Sequence, residues 1–504
     1  MKTLQKIILG TTLSVLAIGC QNDDDTVKKQ INTDVNFSYK TSIKIGGEGA
    51  SEISAFDKIS KKLFTVNVES NEISINNITD LNNPKKEKID LTAYGSPNSV
   101  AVLNGQLAVA VEASVKQNNG KILLYNTADN KLISEFTVGA LPDMVAFSPD
   151  GKTIVSANEG EPNNDYTNDP KGTISIINIE SKDVTTLNFD AFNSDESALE
   201  NNGFRVFGPN ATLSEDVEPE YVAISDDSKT AWISLQENNG IAKVNLATKT
   251  IEAIYPLGFK DYNLAENSID ASDKDDKKEL KNWPVKGIYQ PDAIKYANIG
   301  GVDYIFSANE GDSRDYDGFS EEVRMDDLTL DETVFPTSMD YLNEVNLGRL
   351  KTTTTLGDTN NDGKVETLYS YGARSFSVWS GDSGALLYDS GNSIATETLN
   401  ATLDRFNDDD KRSDDKGAEP ESVEILNIGN ERYILFVGLE RNDQVMVYDV
   451  TNPTAPVFLN ILSHTGDEGP EGLLAISAED SPTGKDLLVV SNEDSGTVTF
   501  YENK

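Results

Sequence analysis

The chain has 504 residues, with 84 Asp and Glu against 43 Lys and Arg and a formal net charge of −41. Such a surface repels nucleic acid and anionic lipid and attracts cations; the plainer alternative is solubility in a salty medium. A single cysteine excludes a disulfide framework, and short apolar, β-branched segments such as TISIINI and QVMVYDV argue against disorder despite the acidity.

The N-terminus reads as an export signal. MKTLQK is basic, IILGTTLSVLAIG is apolar but too short to span a bilayer, and Cys20 follows. LAIGC resembles a bacterial lipoprotein signal, although Ala17 stands where leucine is usual. Residues 1–19 are thus expected to be removed and Cys20 lipidated, which leaves the mature chain without a thiolate metal ligand. Residues 20–35, with QNDDD directly after the cysteine, read as an acidic tether of an outer-membrane lipoprotein displayed at the cell surface, with a periplasmic location as the alternative. The lipid is the only expected membrane contact.

From residue 36 to 504 two registers repeat seven times, which overrides the three domains that length alone would suggest. The first opens a strand, usually as Pro-acid plus apolar residues: Glu52, Asn98, Asp143, Glu220, Asp292, Glu421 and Glu471. The second ends the next strand in glutamate: Glu69, Glu112, Glu159, Glu237, Glu310, Glu440 and Glu493. Two of these glutamates lie in identical SANEG stretches, 156–160 and 307–311. A third strand follows in each repeat, delayed in the fifth to SFSVW at 375–379, and a fourth leads onward. Four strands repeated seven times predict an all-β, seven-bladed β-propeller. The last repeat lacks its fourth strand, and NFSYKTSIKI near the N-terminus can supply it and close the ring.

Successive strands are antiparallel, so the start of the first and the end of the second share one face. The acids of both registers, thirteen carboxylates, are therefore expected around the mouth of the channel. The long insertions, 160–171, 189–218, 257–290, 311–372 (the largest) and 391–419, all project from that face, where loops on a rigid body tend to carry function. Two carboxylates about 5 Å apart repel by roughly 3 kcal/mol at an effective dielectric near 20. Such rings must be protonated, paired with basic residues such as Arg314, Arg374, Arg412 and Arg441, or filled by metal. Oxygen-only ligands favour Ca²⁺, with other divalent ions next. The bland reading is that each acid caps a turn.

DTNNDGKVE at 358–366 carries a more specific calcium pattern. Asp358, Asn360, Asp362 and Glu366 would give side-chain oxygens, Lys364 its carbonyl, and Gly363 the sharp turn. An EF-hand acid is missing, since Tyr369 stands at the twelfth position. The charged stretch 408–421 suits either an anion held beside a metal, through Arg412, Lys416 or Arg441, or a solvated loop. His464 reads as a surface or turn residue rather than a triad member, and no catalytic residue is identified.

EPEYVAIS, LQENNGIAKV, WPVKGIYQPDAI, SANEGDSRDYDGFSEEVR, GARSFSVW and KRSDDKGAEPESVEI together resemble the choice-of-anchor I domain over roughly residues 40–503. That family includes bacterial surface proteins and the mesenchyme-specific cell-surface glycoproteins of biomineralising animals. The resemblance implies a secreted or surface propeller linked to calcium but carries no biochemical activity; the chain's own acidic face leads to the expectation of a monomer that binds an extracellular ligand, mineral or partner. Bacterial relatives are often labelled alkaline phosphatase, which implies as alternative a metal-dependent phosphoesterase on the same face. Iron at the channel face belongs to that analogy, but the iron–calcium type uses a cysteine ligand and here the only cysteine is spent on lipid; a calcium-only mechanism like that of the phytase-like propellers, which the fold also resembles, survives this objection.

Overall fold

The computed structural model describes residues 34–504. The expected signal at residues 1–19, Cys20 and the expected tether up to residue 33 lie outside the described residues. The repeated text folds as seven antiparallel sheets of four strands. In the first, Ser54–Asp57, Lys62–Asn67, Glu72–Asn77 and Lys85–Asp90 pair in chain order. The first strands of the other six begin at Pro97, Pro142, Val222, Ile294, Pro420 and Pro470. Each of these strands touches that of the next sheet, and the last touches the first. A closed ring of four-stranded sheets around a channel is a β-propeller.

Ring closure comes from the N-terminal side. Phe37–Lys44 pairs with Thr497–Asn503, Phe37 opposite Asn503 and Lys44 opposite Thr497, and so completes the last sheet. This leaves the last sheet's third strand paired on both sides instead of exposing an edge.

The apolar residues sit between sheets. Side chains alternate across a strand, and both faces of each second strand are covered. Leu63 therefore packs between the first and last sheets, while its neighbours Phe64 and Val66 pack between the first and second. A hydrophobic cluster of this kind fills each of the seven gaps around the ring. A further core lies outside the ring. In it the 257–290 and 311–372 insertions pack Tyr262, Trp283, Met325, Leu347, Leu350 and Leu368 together. Val285–Ile288 pairs with Phe259–Asp261 on one side and Leu368–Ser370 on the other. Among the described residues no helix is long and apolar enough to cross a membrane.

Candidate functional site

The first-register acids enter the channel through backbone irregularity. Pro142 faces Asn158 and Met144 faces Ala157, so Asp143 is an extra residue in the pairing. Asn98 and Glu471 occupy the same bulge, and Glu421 lies in a wider one. A bulge re-aims its extra side chain, and proline is tolerated there because the channel-side strand is an edge with no partner for the missing N–H. In the other three sheets the acid, Glu52, Glu220 or Asp292, stands two residues before its strand.

The two SANEG stretches are built alike. Ser156 and Ser307 each donate to the Oδ1 of the Asn two residues on, at 3.1 and 2.8 Å. Those asparagines, Asn158 and Asn309, then donate to serines of the following strand, Ser175 at 3.0 Å and Ser377 at 2.8 Å. Gly160 and Gly311 have φ of +81° and +91°, and a Cβ on either would collide with backbone where its own loop returns. Glu159 and Glu310 are thereby fixed at the channel mouth. The loops that follow meet each other: Gly318 donates its N–H to the Asn164 carbonyl at 2.8 Å, and Tyr166 packs edge-on against Phe319. They also share buried Arg314, which approaches Tyr166 and pairs with Asp216 and Glu218.

Twelve of the thirteen register acids face this mouth. Glu52, Glu112, Asp143, Glu159, Asp292, Glu471 and Glu493 line a cavity of about 450 Å³ together with Asn98. An adjoining cavity of about 350 Å³ shares four of them and adds Glu220, Glu310, Glu421 and Glu440. Glu237 stands beside Glu159 and Glu220. Glu69 is the exception: it is exposed and accepts the Gly47 N–H at 2.7 Å, because the glycines of the N-terminal approach crowd its carboxylate.

Burial is the main reason all twelve hold their protons more tightly than free carboxylates, with neighbouring charge second. Asp143 and Glu237 are pushed up to about 7. Glu52, Asp292 and Glu440 reach about 8. Glu159, Glu220, Glu421 and Glu471 are raised well above the usual range, and Glu112, Glu310 and Glu493 are raised as well.

The basic residues of 408–421 meet a carboxylate outside both registers. Arg412, Lys416 and Arg441 converge on fully buried Glu419, at 2.6, 3.5 and 3.2 Å. Lys416 also pairs with Glu310, and Arg441 with Glu440 at 2.8 Å. These three cations, expected at an anion site, are therefore engaged by carboxylates. Arg374 donates to the backbone carbonyls of Asp270, Ser413 and Asp415 instead of to a ring acid. Glu218 and Glu419 went unnoticed in the sequence, yet each is the first acid of an EPE triplet, 218–220 and 419–421. In both triplets the first glutamate holds arginine and the second enters the channel. Glu161, Asp312 and Lys116 also line the mouth.

In the 358–366 loop Asp358 accepts the backbone N–H groups of Asp362 and Gly363, and Glu366 accepts from Thr359 and the Asn360 amide. Lys364 donates its N–H to Asp362 at 3.0 Å. Asp362 and Glu366 come together with Asp331, an acid from another segment of the same insertion. His464 stacks on Tyr39 at 3.8 Å between ring centroids, beside the closing strand.

Solved β-propellers and propeller-containing assemblies are similar in outline only. Hydrazine synthase of Kuenenia stuttgartiensis aligns with 92% of this chain and 98% of its own, at 13% identity and a TM-score of 0.48. The Myceliophteria thermophila Cps50 (Swd1) β-propeller domain aligns with 93% of this chain and all of its own, at 8% identity and a TM-score of 0.47. Gigasin-3a of Magallana gigas is 35% identical over 187 residues, which cover 31% of this chain and 64% of that protein. The match thus spans less than two thirds of that relative's length. The family model of the choice-of-anchor I domain matches residues 52–453, and the chain belongs to that family of surface-associated propellers.

Proposed function

We propose that this is a surface-anchored propeller lipoprotein that binds Ca²⁺ at its acidic channel mouth and uses the bound ions to hold an extracellular ligand, mineral or partner. The observation that carries the reading is the charge balance of the mouth. Eleven register acids line two adjoining cavities with Glu237 beside them, and the nearby basic groups are largely taken up by Glu419, Glu310 and Glu440. Hard oxygen donors without thiol or imidazole suit Ca²⁺ first and Mg²⁺ or Mn²⁺ next. The 358–366 loop, with Asp331, is a second calcium locus that would stiffen the largest insertion. Lipidation at Cys20 after removal of residues 1–19, and display on the outer membrane, belong to the same proposal.

A metal-dependent phosphoesterase on this face is the second reading. Arg441 lines the smaller cavity and favours it. Against it, Arg412, Lys416 and Arg441 would each have to leave a carboxylate to grip phosphate. The test is to strip metal from the purified protein and restore Ca²⁺, Mg²⁺, Mn²⁺ or iron singly. Ion binding is then measured by calorimetry, and phosphomonoester and phytate hydrolysis is assayed. Calcium binding without turnover is the expected result. Turnover abolished by Glu159→Gln and Glu310→Gln would replace this reading with the enzymatic one.

A further inference from the structure

Two glutamate triads of related origin stand side by side at the mouth, and they are neutralised differently. Glu310, Glu419 and Glu440 bring carboxylate oxygens within 4.8 Å of one another, and so do Glu159, Glu220 and Glu237. Each triad takes one glutamate from the end of a second strand, another from the end of the next sheet's second strand, and a third from an EPE triplet. The first triad is filled from within the chain by Lys416, Arg412 and Arg441.

The second triad has no such filling. Glu159 and Glu220 are 8% exposed and Glu237 is 6% exposed. The Oε2 atoms of Glu220 and Glu237 are buried and receive no hydrogen bond from any described protein group. The neighbouring arginines are turned elsewhere. Arg314 is held by Asp216 and Glu218, and Arg205 by Glu321 and the Glu237 carbonyl. A buried acceptor without a donor gives up its hydration with nothing in exchange, and the penalty is larger when it is charged. Two such oxygens beside a third carboxylate are stable only if protonated or if a cation joins them.

We propose that one divalent cation with oxygen ligands, Ca²⁺ or Mn²⁺ in size and hardness, binds among Glu159, Glu220 and Glu237, in the role that Lys416 and the two arginines play in the adjacent triad. The inference rests on the cation-binding reading above and narrows it to one site. The spacing suits it: ligand oxygens at about 2.3–2.6 Å from one Ca²⁺ lie no more than about 5 Å apart. Glu159 also lines the 450 Å³ cavity, so the ion would have an open side towards the channel, where a ligand could complete its shell.

The experiment counts ions bound by the full chain, titrating Ca²⁺ by calorimetry and Mn²⁺ by electron paramagnetic resonance. Wild type is compared with Glu220→Gln, Glu237→Gln and, as a control on the exposed turn between Thr173–Asn178 and Val184–Leu187, Glu180→Gln. The two triad variants are expected to lose one ion equivalent, or to bind it at least ten-fold more weakly, while Glu180→Gln binds as many ions as wild type. In chelator both triad variants should melt at or above wild type, because one of three crowded carboxylates is gone, and in millimolar Ca²⁺ the order should reverse. This inversion separates an ion site from a merely structural hydrogen-bonding role. Wild type and both triad variants binding the same number of ions within two-fold in affinity would overturn the site and leave the broader reading standing. A wild type that binds neither metal would overturn both.

Discussion

Gln236 donates from Nε2 to Oε2 of Glu310 at 2.9 Å, within the buried wall of the mouth. Gln236 precedes Glu237, and Glu310 pairs with Lys416, so this amide joins the triad without protein cations to the triad that has them. The two triads therefore share one hydrogen-bonded wall of the mouth rather than lying in separate acidic turns.

Stability in the absence of metal should fall as pH rises from 5.5 to 8.5. Asp143 and Glu237 titrate near 7, and Glu52, Asp292 and Glu440 near 8. Their unfolded values lie near 4. A carboxyl with a raised folded pKa adds stability that is complete below the unfolded value and disappears as pH passes the folded one. Melting in chelator across this window should show the decline. Added Ca²⁺ should flatten it while releasing protons, measurable by calorimetry in buffers of different ionisation enthalpy. A melting temperature that rises with pH in chelator would contradict this assignment of the buried acids.

Glu419 and Glu421 stand two residues apart and should respond in opposite directions. Three cations hold Glu419 below the usual carboxylate range, although burial alone would raise it. Burial, then the charges of Glu310 and Glu471, raise Glu421 well above that range. Glu419→Gln removes the carboxylate that Arg412, Lys416 and Arg441 share, leaving them only Asp415, Glu310 and Glu440, and should cost about 3 kcal/mol. Glu421→Gln should be neutral or stabilising in chelator at pH 8. Denaturant titration of the two variants decides it; equal losses would show that the triplet acts as plain turn chemistry.

The fold was largely legible because the ring repeats. One register read from PDMVAF can be checked against six others, and a strand with apolar residues on both faces leaves a plain sequence signature. The mouth was legible to the level of a face but not of partners. Glu69 shares its register with Glu493 yet is diverted by Gly46 and Gly47, which no spacing reveals. Glu419 and Arg441 meet across 22 residues of chain, and Arg314 and Asp216 across 98; such pairs depend on how insertions fold back. The insertion core around Tyr262 and Trp283 escaped notice for the same reason, since its apolar residues come from two separate segments without periodicity.

Calcium should protect the 358–366 loop locally. Asp358 already caps the turn through two backbone bonds, so its removal would unfold the loop with or without an ion. Asp362 and Glu366 are the better probes, standing with Asp331. With Ca²⁺, amide exchange over 355–367 should slow by about ten-fold or more, and Asp331→Ala or Asp362→Ala should remove the protection without altering exchange in the blades. Protection equal in wild type and Asp362→Ala would leave the loop an Asx-rich turn.

Arg314 should be the residue on which the roof of the mouth depends most. It reaches from the loop after the second SANEG to Asp216 at 2.5 Å and Glu218 at 3.0 Å, and its guanidinium lies 4.5 Å from the centre of the Phe207 ring. Arg314→Met leaves buried Glu218 without its cation and Asp216 with only the hydrogen bonds from Phe207, Gly208 and Asn238, and should cost about 3–5 kcal/mol. Arg314→Lys should recover little, since one ammonium cannot match the planar fork or the ring contact. Glu218 already binds its proton tightly because of burial, and losing Arg314 raises it further. The Met variant should therefore recover part of its stability at pH 5.5 relative to pH 8.5. It should also be cut sooner than wild type within 160–171 and 311–324, the two loops that Arg314 ties down. A variant as resistant as wild type to limited proteolysis would show that the Gly318–Asn164 bond and the Tyr166–Phe319 contact hold the loops without it.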